Sequence, residues 1–220
     1  QRQMCIRDRS RSDCSVKPRN TDSPRYQSQK QAAIRAAAAV FSEKGFHGAS
    51  TAGIAERLGI KQGSLYYYFD SKEEALEDVC LYGLRQYVDN MDAIAGTDEP
   101  FEARLLAVVG NHLGSYRSKN EALKVHNDER LYLPAERRIR LKELGSHYRE
   151  QLESMIDDGI AARVIRDTID SHFLAQSIIG VCNGLGEIIV RDPEADVFEL
   201  ARKCTDLLLH GMVPGHVKGE

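Results

Sequence analysis

Apolar residues recur at helical spacing along most of this chain. Ile34, Ala37, Ala38 and Phe41 share one face of a helix beginning near Ser28, and Gly45 stands where a glycine closes it. Ser50 occupies an N-cap position ahead of a short helix over 51–58, with Ile54, Ala55 and Leu58 turned inward. Gly59-Ile60-Lys61 is a tight connection to a second short helix over 62–69. Asp70-Ser71 then caps a longer helix running to about 95, whose acidic Glu73 and Glu74 suit the helix dipole. A linker over 96–100 ends in Pro100, placed to open a helix over 101–116. Further helices are expected over 121–127, from Pro134 to Gly159, from the Asp170 cap to Val190, and over 195–210. No stretch alternates with period two for long enough to predict a strand, and nothing repeats at a fixed period. The expected fold is all-α: a three-helix, helix-turn-helix unit followed by a larger helical body, about nine helices in all.

Composition agrees. The 220 residues are 42% hydrophobic and 29% charged, with six prolines and no tryptophan, enough for one large domain or two small ones. Residues 1–23 lack periodicity and are expected to form a disordered arm. Its Met4-Cys5-Ile6-Arg7-Asp8-Arg9 run reads as translated adapter sequence, and no apolar segment follows to make it a signal peptide. The expected divisions are then 24–72 for the helix-turn-helix, 73–213 for the body and 214–220 for a tail. The longest apolar stretch, 178–190, is interrupted by Asn183, Glu187 and three glycines, short of the roughly 20 residues of a membrane span, so no membrane partner is expected. Cysteines at 5, 14, 80, 182 and 204 form no CxxC pair and are odd in number, which points to a reducing, cytoplasmic setting.

The net charge of −3 conceals a division: +7 over residues 1–72 and −10 over residues 73–220. A basic first third on an acidic remainder suits a polyanion-binding module on a body that must not stick to the same polyanion, although residues 1–30 alone supply +5. Two short helices joined by a glycine-containing turn, behind an alanine-rich helix, form a helix-turn-helix. The second carries Lys61, Gln62, Ser64, Tyr66, Tyr67 and Tyr68, all hydrogen-bond capable, while Leu65 and Phe69 anchor it; no acidic residue lies between Arg57 and Asp70.

Phe41-Ser-Glu-Lys-Gly-Phe46, Ser50-Thr-Ala-Gly-Ile-Ala55, Gly59-Ile-Lys-Gln-Gly-Ser-Leu-Tyr-Tyr-Tyr-Phe69 and Ser71-Lys-Glu-Glu74 closely resemble the DNA-binding domain of TetR-family transcriptional regulators. The resemblance covers residues 28–76, about a quarter of the chain. It implies a nine-helix homodimer with a variable effector-binding C-terminal domain, acting on double-stranded operator DNA without a cofactor or metal. Carried over by position, it implies that Ser50 bonds a phosphate, that Lys61, Gln62, Gly63 and Tyr67 face the major groove, and that Tyr66 and Lys72 clamp the backbone. Tyr68 stands where many members have histidine and keeps a phosphate role; Ala52 reads little. Packing of two of the tyrosine rings against the first helix is the alternative for that triplet.

The effector pocket is less explicit. Asn111, His112, Tyr116, His126, Asn127, Glu129, Tyr132 and His147 interrupt apolar faces; of these Asn111, Tyr116, His126, Asn127 and Tyr132, with Tyr148, are the candidate effector contacts. An apolar space is expected between Leu105, Val109, Leu113 and Tyr116 on one helix and Leu141, Leu144, Tyr148 and Leu152 on another, with glycines 110, 114 and 145 leaving room. Asp128-Glu-Arg-Leu-Tyr-Leu-Pro134 is similar to a stretch in TetR-family regulators of fatty-acid and steroid degradation, whose effectors are acyl-CoA thioesters. On that resemblance Arg137, Arg138, Arg140 and Lys142 would meet CoA phosphates; a solvated basic helix face is the plainer reading. Dimerisation is expected through the last two helices, where Gly180, Val181 and Gly184 permit close approach and Leu200, Lys203, Cys204, Leu207 and Leu208 form a stripe. No HExxH, metal-spaced Cys/His cluster, GxSxG or phosphate loop supports an enzyme. The reading is a repressor released by a small, largely apolar effector, with a helix-bundle enzyme or carrier as the alternative.

Overall fold

The computed structural model describes residues 23–117, 121–192 and 194–211. The expected arm (but for Ser23) and tail lie outside these residues, as do Cys5 and Cys14. Nine α-helices are present among the described residues: α1 Pro24–Gly48, α2 Thr51–Leu58, α3 Gln62–Leu65, α4 Lys72–Ala95, α5 Phe101–Arg117, α6 Glu121–Glu129, α7 Ile139–Ala161, α8 Ser171–Arg191 and α9 Val197–His210. A 3-10 turn, Arg130–Tyr132, follows α6.

Local chemistry fixes most of the starts. The side chains of Ser23, Ser50, Ser71, Asp170 and Asp196 each accept a hydrogen bond from the backbone N–H three residues on, satisfying a donor that the helix itself leaves unpaired. α1 begins four residues earlier than its periodicity suggests, because Pro24 follows the Ser23 cap. Gly45, at φ 66° and ψ 171°, interrupts α1, and one further turn carries the chain to Gly48. α7 begins at Ile139 and not at Pro134: the chain after Pro134 makes turns in which Arg137 and Arg138 N–H groups return to the Pro134 carbonyl. The α-helical part of α3 is only four residues, continued by turns through Phe69.

Helix α4 is the axis of the molecule, packing against α1, α5, α6 and α7; α8 lies on α5, α7 and α9, and α9 on α5. Leu76, Val79, Cys80 and Met91 of α4 are buried at the centre of one continuous core with Leu113, Leu152 and Ile156. The expected space between α5 and α7 is largely closed: Leu105, Val109, Leu113, Leu141, Tyr148 and Leu152 are all buried, and what remains is an apolar cavity of about 360 Å³ that Phe101 and Leu105 of α5 and Ile156 of α7 line with Ile178 of α8 and Leu208 of α9. Three ion pairs fasten α4 to its surroundings: Lys30–Asp78 at 2.7 Å to α1, and the buried Glu77 with Arg137 at 2.7 Å and Arg140 at 3.7 Å.

Candidate nucleic-acid interface and effector cavities

Gly59 makes the turn between α2 and α3. Its φ of 75° and ψ of 29° are left-handed, a conformation a β-carbon would strain, and the N–H groups of Gly59 and Ile60 return to the Glu56 and Ala55 carbonyls. Leu65 and Phe69 are buried and lock α3 to the core. Lys61, Gln62, Gly63 and Ser64 are then exposed in succession, and Gln62 Nε2 donates to Thr51 Oγ1 at 3.1 Å, setting α3 against α2.

The tyrosines divide. Tyr66 and Tyr67 are nearly half exposed, whereas Tyr68 is half-buried. Tyr67 meets Tyr26 of α1 edge-on at 5.4 Å and Tyr68 lies 6.2 Å from the same ring, so two rings do pack on the first helix. Tyr68 also donates to Gln29 Oε1 at 3.4 Å. Ser50 Oγ accepts from Gly53 N–H at 3.1 Å, which leaves its own hydrogen for a phosphate. The Lys72 ammonium donates to the carbonyls of Phe46 (2.9 Å) and Ala49 (3.1 Å) and sits 4.3 Å from the centre of the Phe46 ring, which ties α4 to the end of α1.

Phe46 is held from α6 as well. Its N–H donates to Glu129 Oε2 at 2.9 Å, and its ring stacks on Tyr132 at 5.9 Å. Tyr132, expected as an effector contact, is therefore a surface neighbour of α1, half exposed and also edge-on to His47 at 4.6 Å. His147 likewise faces outward, paired with Asp92 at 2.9 Å.

A polar cavity of about 130 Å³ lies among α4, α5, α6 and α8, and Tyr116, His126 and Asn127 all line it. Around it runs a hydrogen-bonded chain that the sequence did not reveal. The Tyr87 hydroxyl meets His112 Nδ1, His112 Nε2 lies 2.9 Å from Asn183 Oδ1, and the Tyr116 hydroxyl donates to the same oxygen at 3.0 Å. A 2.9 Å hydrogen bond joins the Tyr87 and Tyr148 hydroxyls, so Tyr148 stands one bond behind the cavity. Burial disfavours charge here: it lowers the His112 pKa, raises that of Tyr87 and pushes Tyr148 up to about 12. Neutral His112 satisfies both partners with its proton on Nε2. Burial, aided by Arg130, lowers His126 to about 4. Asn111 lines a separate cleft with Gln86 and bonds Asn90 at 2.9 Å. A third space, of about 650 Å³, opens beside Tyr116 and Asn127 towards Ile189 and Val190 of α8.

On the outer side, Gly180 and Gly184 of α8 have open space where a β-carbon would point. Phe173 and Ile188 flank them exposed, as do Phe198 and Leu207 on α9. Val181 and Leu208 are half-buried at the edge of this face. Cys204, expected at the dimer interface, is buried inside the chain instead, its free thiol in a hydrogen bond with that of Cys182 of α8, whose pKa that contact and burial raise. Among the described residues α8 alone is long and apolar enough to cross a membrane by length and composition, yet its inner side packs on three helices.

A displayed helix of hydrogen-bond donors, mounted on a helical body with internal cavities, defines a DNA-binding regulator that can respond to a ligand. Residues 33–79 match the model of bacterial regulatory proteins of the tetR family, and residues 98–212 that of the tetracyclin repressor-like C-terminal domain. The chain belongs to the TetR family of transcriptional regulators. The fatty acid metabolism regulator protein of Bacillus subtilis (strain 168) is 23% identical over 180 residues, 81% of this chain and 93% of that protein. The HTH-type transcriptional repressor KstR2 of Rhodococcus jostii (strain RHA1) is 30% identical over 139 residues, 61% of this chain and 66% of that protein. The fold is shared with the crystal structure of the transcriptional regulator FadR from Bacillus subtilis in complex with stearoyl-CoA, at a TM-score of 0.74 and 23% identity over 83% of this chain and 99% of that one. Ligand-responsive repression is the mode these relatives support, and the enzyme or carrier alternative is set aside.

Proposed function

We propose that this protein acts in the cytoplasm as a homodimer, binding a palindromic operator through residues 24–72, and that an acyl-CoA thioester held in the body, 73–213, releases it. Lys61, Gln62, Gly63, Ser64 and Tyr67 face the major groove, and Ser50, Tyr66 and Tyr68 meet phosphates. The observation that carries the reading is the exposed run Lys61 to Ser64 on an anchored helix free of carboxylates. The open face of α8 and α9 around Gly180 and Gly184 is where the second copy packs, which sets the two recognition helices about one DNA turn apart. The names of the relatives, a fatty acid metabolism regulator and a stearoyl-CoA complex, support the effector class.

Release follows from contacts at Phe46. Helix α6 lines the cavity with Leu123, His126 and Asn127 and, a turn later, holds Phe46 through Glu129 and Tyr132. Lys72 at the start of α4 holds the same residue. A ligand that moves α6 or α4 thus moves the end of α1 on which α2 and α3 are mounted, and it shifts the equilibrium only by its differential affinity for the two arrangements. A coupling of about 1–3 kcal/mol weakens operator binding roughly 5- to 150-fold. Selection from randomised DNA is expected to return a symmetric site, and long-chain acyl-CoA is expected to raise the melting temperature while lowering affinity for that site. Absence of any enriched symmetric sequence overturns the regulator reading. A symmetric site with no response to any thioester overturns the effector alone.

A further inference from the structure

The cavity between α6 and α7, about 430 Å³, gathers positive charge. Arg130, Arg138, Lys142 and Arg149 line it with His126, and no carboxylate is among its lining residues. Positions 138, 142, 145 and 149 are spaced as one face of a helix, so the cations of this stripe stand one above another with Gly145 between them. Arg137 and Arg140, off the stripe, turn instead to the buried Glu77. Among the described residues no carboxylate within ion-pair distance neutralises the cations of the cavity.

The two outer cations are fixed by neutral groups: Arg130 by the carbonyls of His126 (3.3 Å) and Asn127, Arg149 by Ser146 Oγ at 2.8 Å. Arg138 Nε and His126 Nδ1 are buried without a hydrogen-bond partner. Unneutralised cations around one concave space, with unused nitrogens among them, fit an anion rich in acceptor oxygens. A guanidinium beside an ammonium is suited to phosphate, the first by its forked donors and the second as a point charge. The volume lies within the range of small-ligand sites.

We propose that this cavity binds the phosphate-bearing end of a small nucleotide-type ligand, with Arg138 and Lys142 as its principal contacts. The proposal deepens the acyl-CoA reading and rests on it for the apolar remainder. The cavity shares Leu84 and His126 with the polar cavity, so a ligand anchored at Arg138 and Lys142 extends past His126 towards Tyr87 and Tyr116.

The test is calorimetric titration of the full chain with palmitoyl-CoA, 3′,5′-ADP and inorganic phosphate. It compares wild type with Arg138→Gln, Lys142→Gln, the double variant and Arg163→Gln, an exposed control with the charge change of either single variant. Expected are a tenfold or greater loss of palmitoyl-CoA affinity in the double variant, none in the control, and unchanged operator affinity in both. Wild-type affinity for palmitoyl-CoA is also expected to fall steeply with salt, a readout that needs no variant to fold. Palmitoyl-CoA bound equally by wild type and double variant overturns the site and leaves the acyl-CoA reading standing. Binding of 3′,5′-ADP that the double variant loses, with no binding of palmitoyl-CoA, sustains the site and overturns the acyl-CoA reading. Inorganic phosphate bound in the same variant-sensitive way, with 3′,5′-ADP excluded, overturns the nucleotide class. No binding of any phosphate-bearing probe to wild type overturns the proposal.

Discussion

Gly83 is the residue at which α4 and α6 touch backbone to backbone, and Gly83→Ala tests how much of the fold depends on that crossing. A β-carbon there would lie 2.6 Å from the Ala122 carbonyl carbon and 2.7 Å from both Ala122 O and Leu123 N. Ordinary carbon contacts are about 3.5–4.0 Å, so the helices must part by about 1 Å, because no rotamer change moves a backbone atom. Overpacking of this kind costs about 1–3 kcal/mol, and the better helix propensity of alanine returns roughly 0.8–1. Because the clashing atoms are backbone, the upper half of that cost applies and the net loss is about 1–2 kcal/mol, a fall of roughly 2–8 °C in melting temperature for a chain of this size. Gly114→Ala is the control: nothing lies within 4 Å of its β-carbon, so only the propensity gain remains and the protein gains up to about 1 kcal/mol. Urea denaturation followed by circular dichroism, at one protomer concentration, measures both. A Gly83→Ala protein as stable as wild type, or two glycine variants shifting in the same direction, would refute the reasoning.

Lys61→Ala and Lys72→Ala should separate by assay: the first costs about 1–3 kcal/mol of operator binding and relaxes its specificity with little change in melting temperature, and the second lowers the melting temperature by loss of its bonds to Phe46 and Ala49, worth roughly 1.5–3 kcal/mol. Acid sensitivity is expected from His126. The unfolded side chain protonates near 6.5 and the folded one at about 4, so the unfolded chain binds more protons between them. Stability is then full above pH 6.5 and falls as the pH drops towards 4, by at most about 3 kcal/mol, and His126→Gln should flatten that part of a stability-against-pH curve. Gly184→Leu should give monomers with weak operator affinity in sedimentation and binding measurements, and a dimeric variant refutes the placement of the interface on α8.

The helix-turn-helix was legible because everything that builds it is local. The Ser50 cap, the Gly59 turn and the anchors Leu65 and Phe69 lie within 20 residues, and each acts on its own neighbourhood. The inward bonds of Lys72 were not legible for the complementary reason: its partners are carbonyls at 46 and 49, and nothing in the spacing of charges announces them. The body shows the same division at larger scale. Periodicity identified the buried faces of α5 and α7 but not which helix each face meets: both pack on α4 and α8, and α5 on α9 as well. Glycines chosen for leaving room, 110, 114 and 145, are not where the packing is tightest. That falls at 83, 159 and 186, where a neighbouring backbone or ring fills the place of a side chain. The basic residues after Pro134 were noticed as a cluster, although the stripe 138, 142 and 149 was already present at helical spacing. Adjacent Arg137 and Arg140 serve Glu77, and only the third dimension separates the two sets.

The charge division along the chain now has a structural sense. An excess of −10 over residues 73–220 repels DNA from the body, yet that body encloses four cationic side chains in the cavity between α6 and α7. On an open surface such a cluster would draw the phosphate backbone away from α3 and blur the register of the proposed operator contacts. Placed in a concavity a few hundred cubic ångströms in volume, it has room for a small phosphate-bearing molecule and not for a duplex. On the proposed assignments the two polyanions are sorted by shape, the operator to the convex face of α3 and the effector to the recess behind α6. Because α6 also carries Glu129 and Tyr132 to Phe46, occupation of the recess is felt at the mount of the recognition helix. The proposed release thus turns on that single junction: a ligand in the recess weakens operator binding only as far as it favours an arrangement of α6 and Phe46 that the DNA-bound form does not.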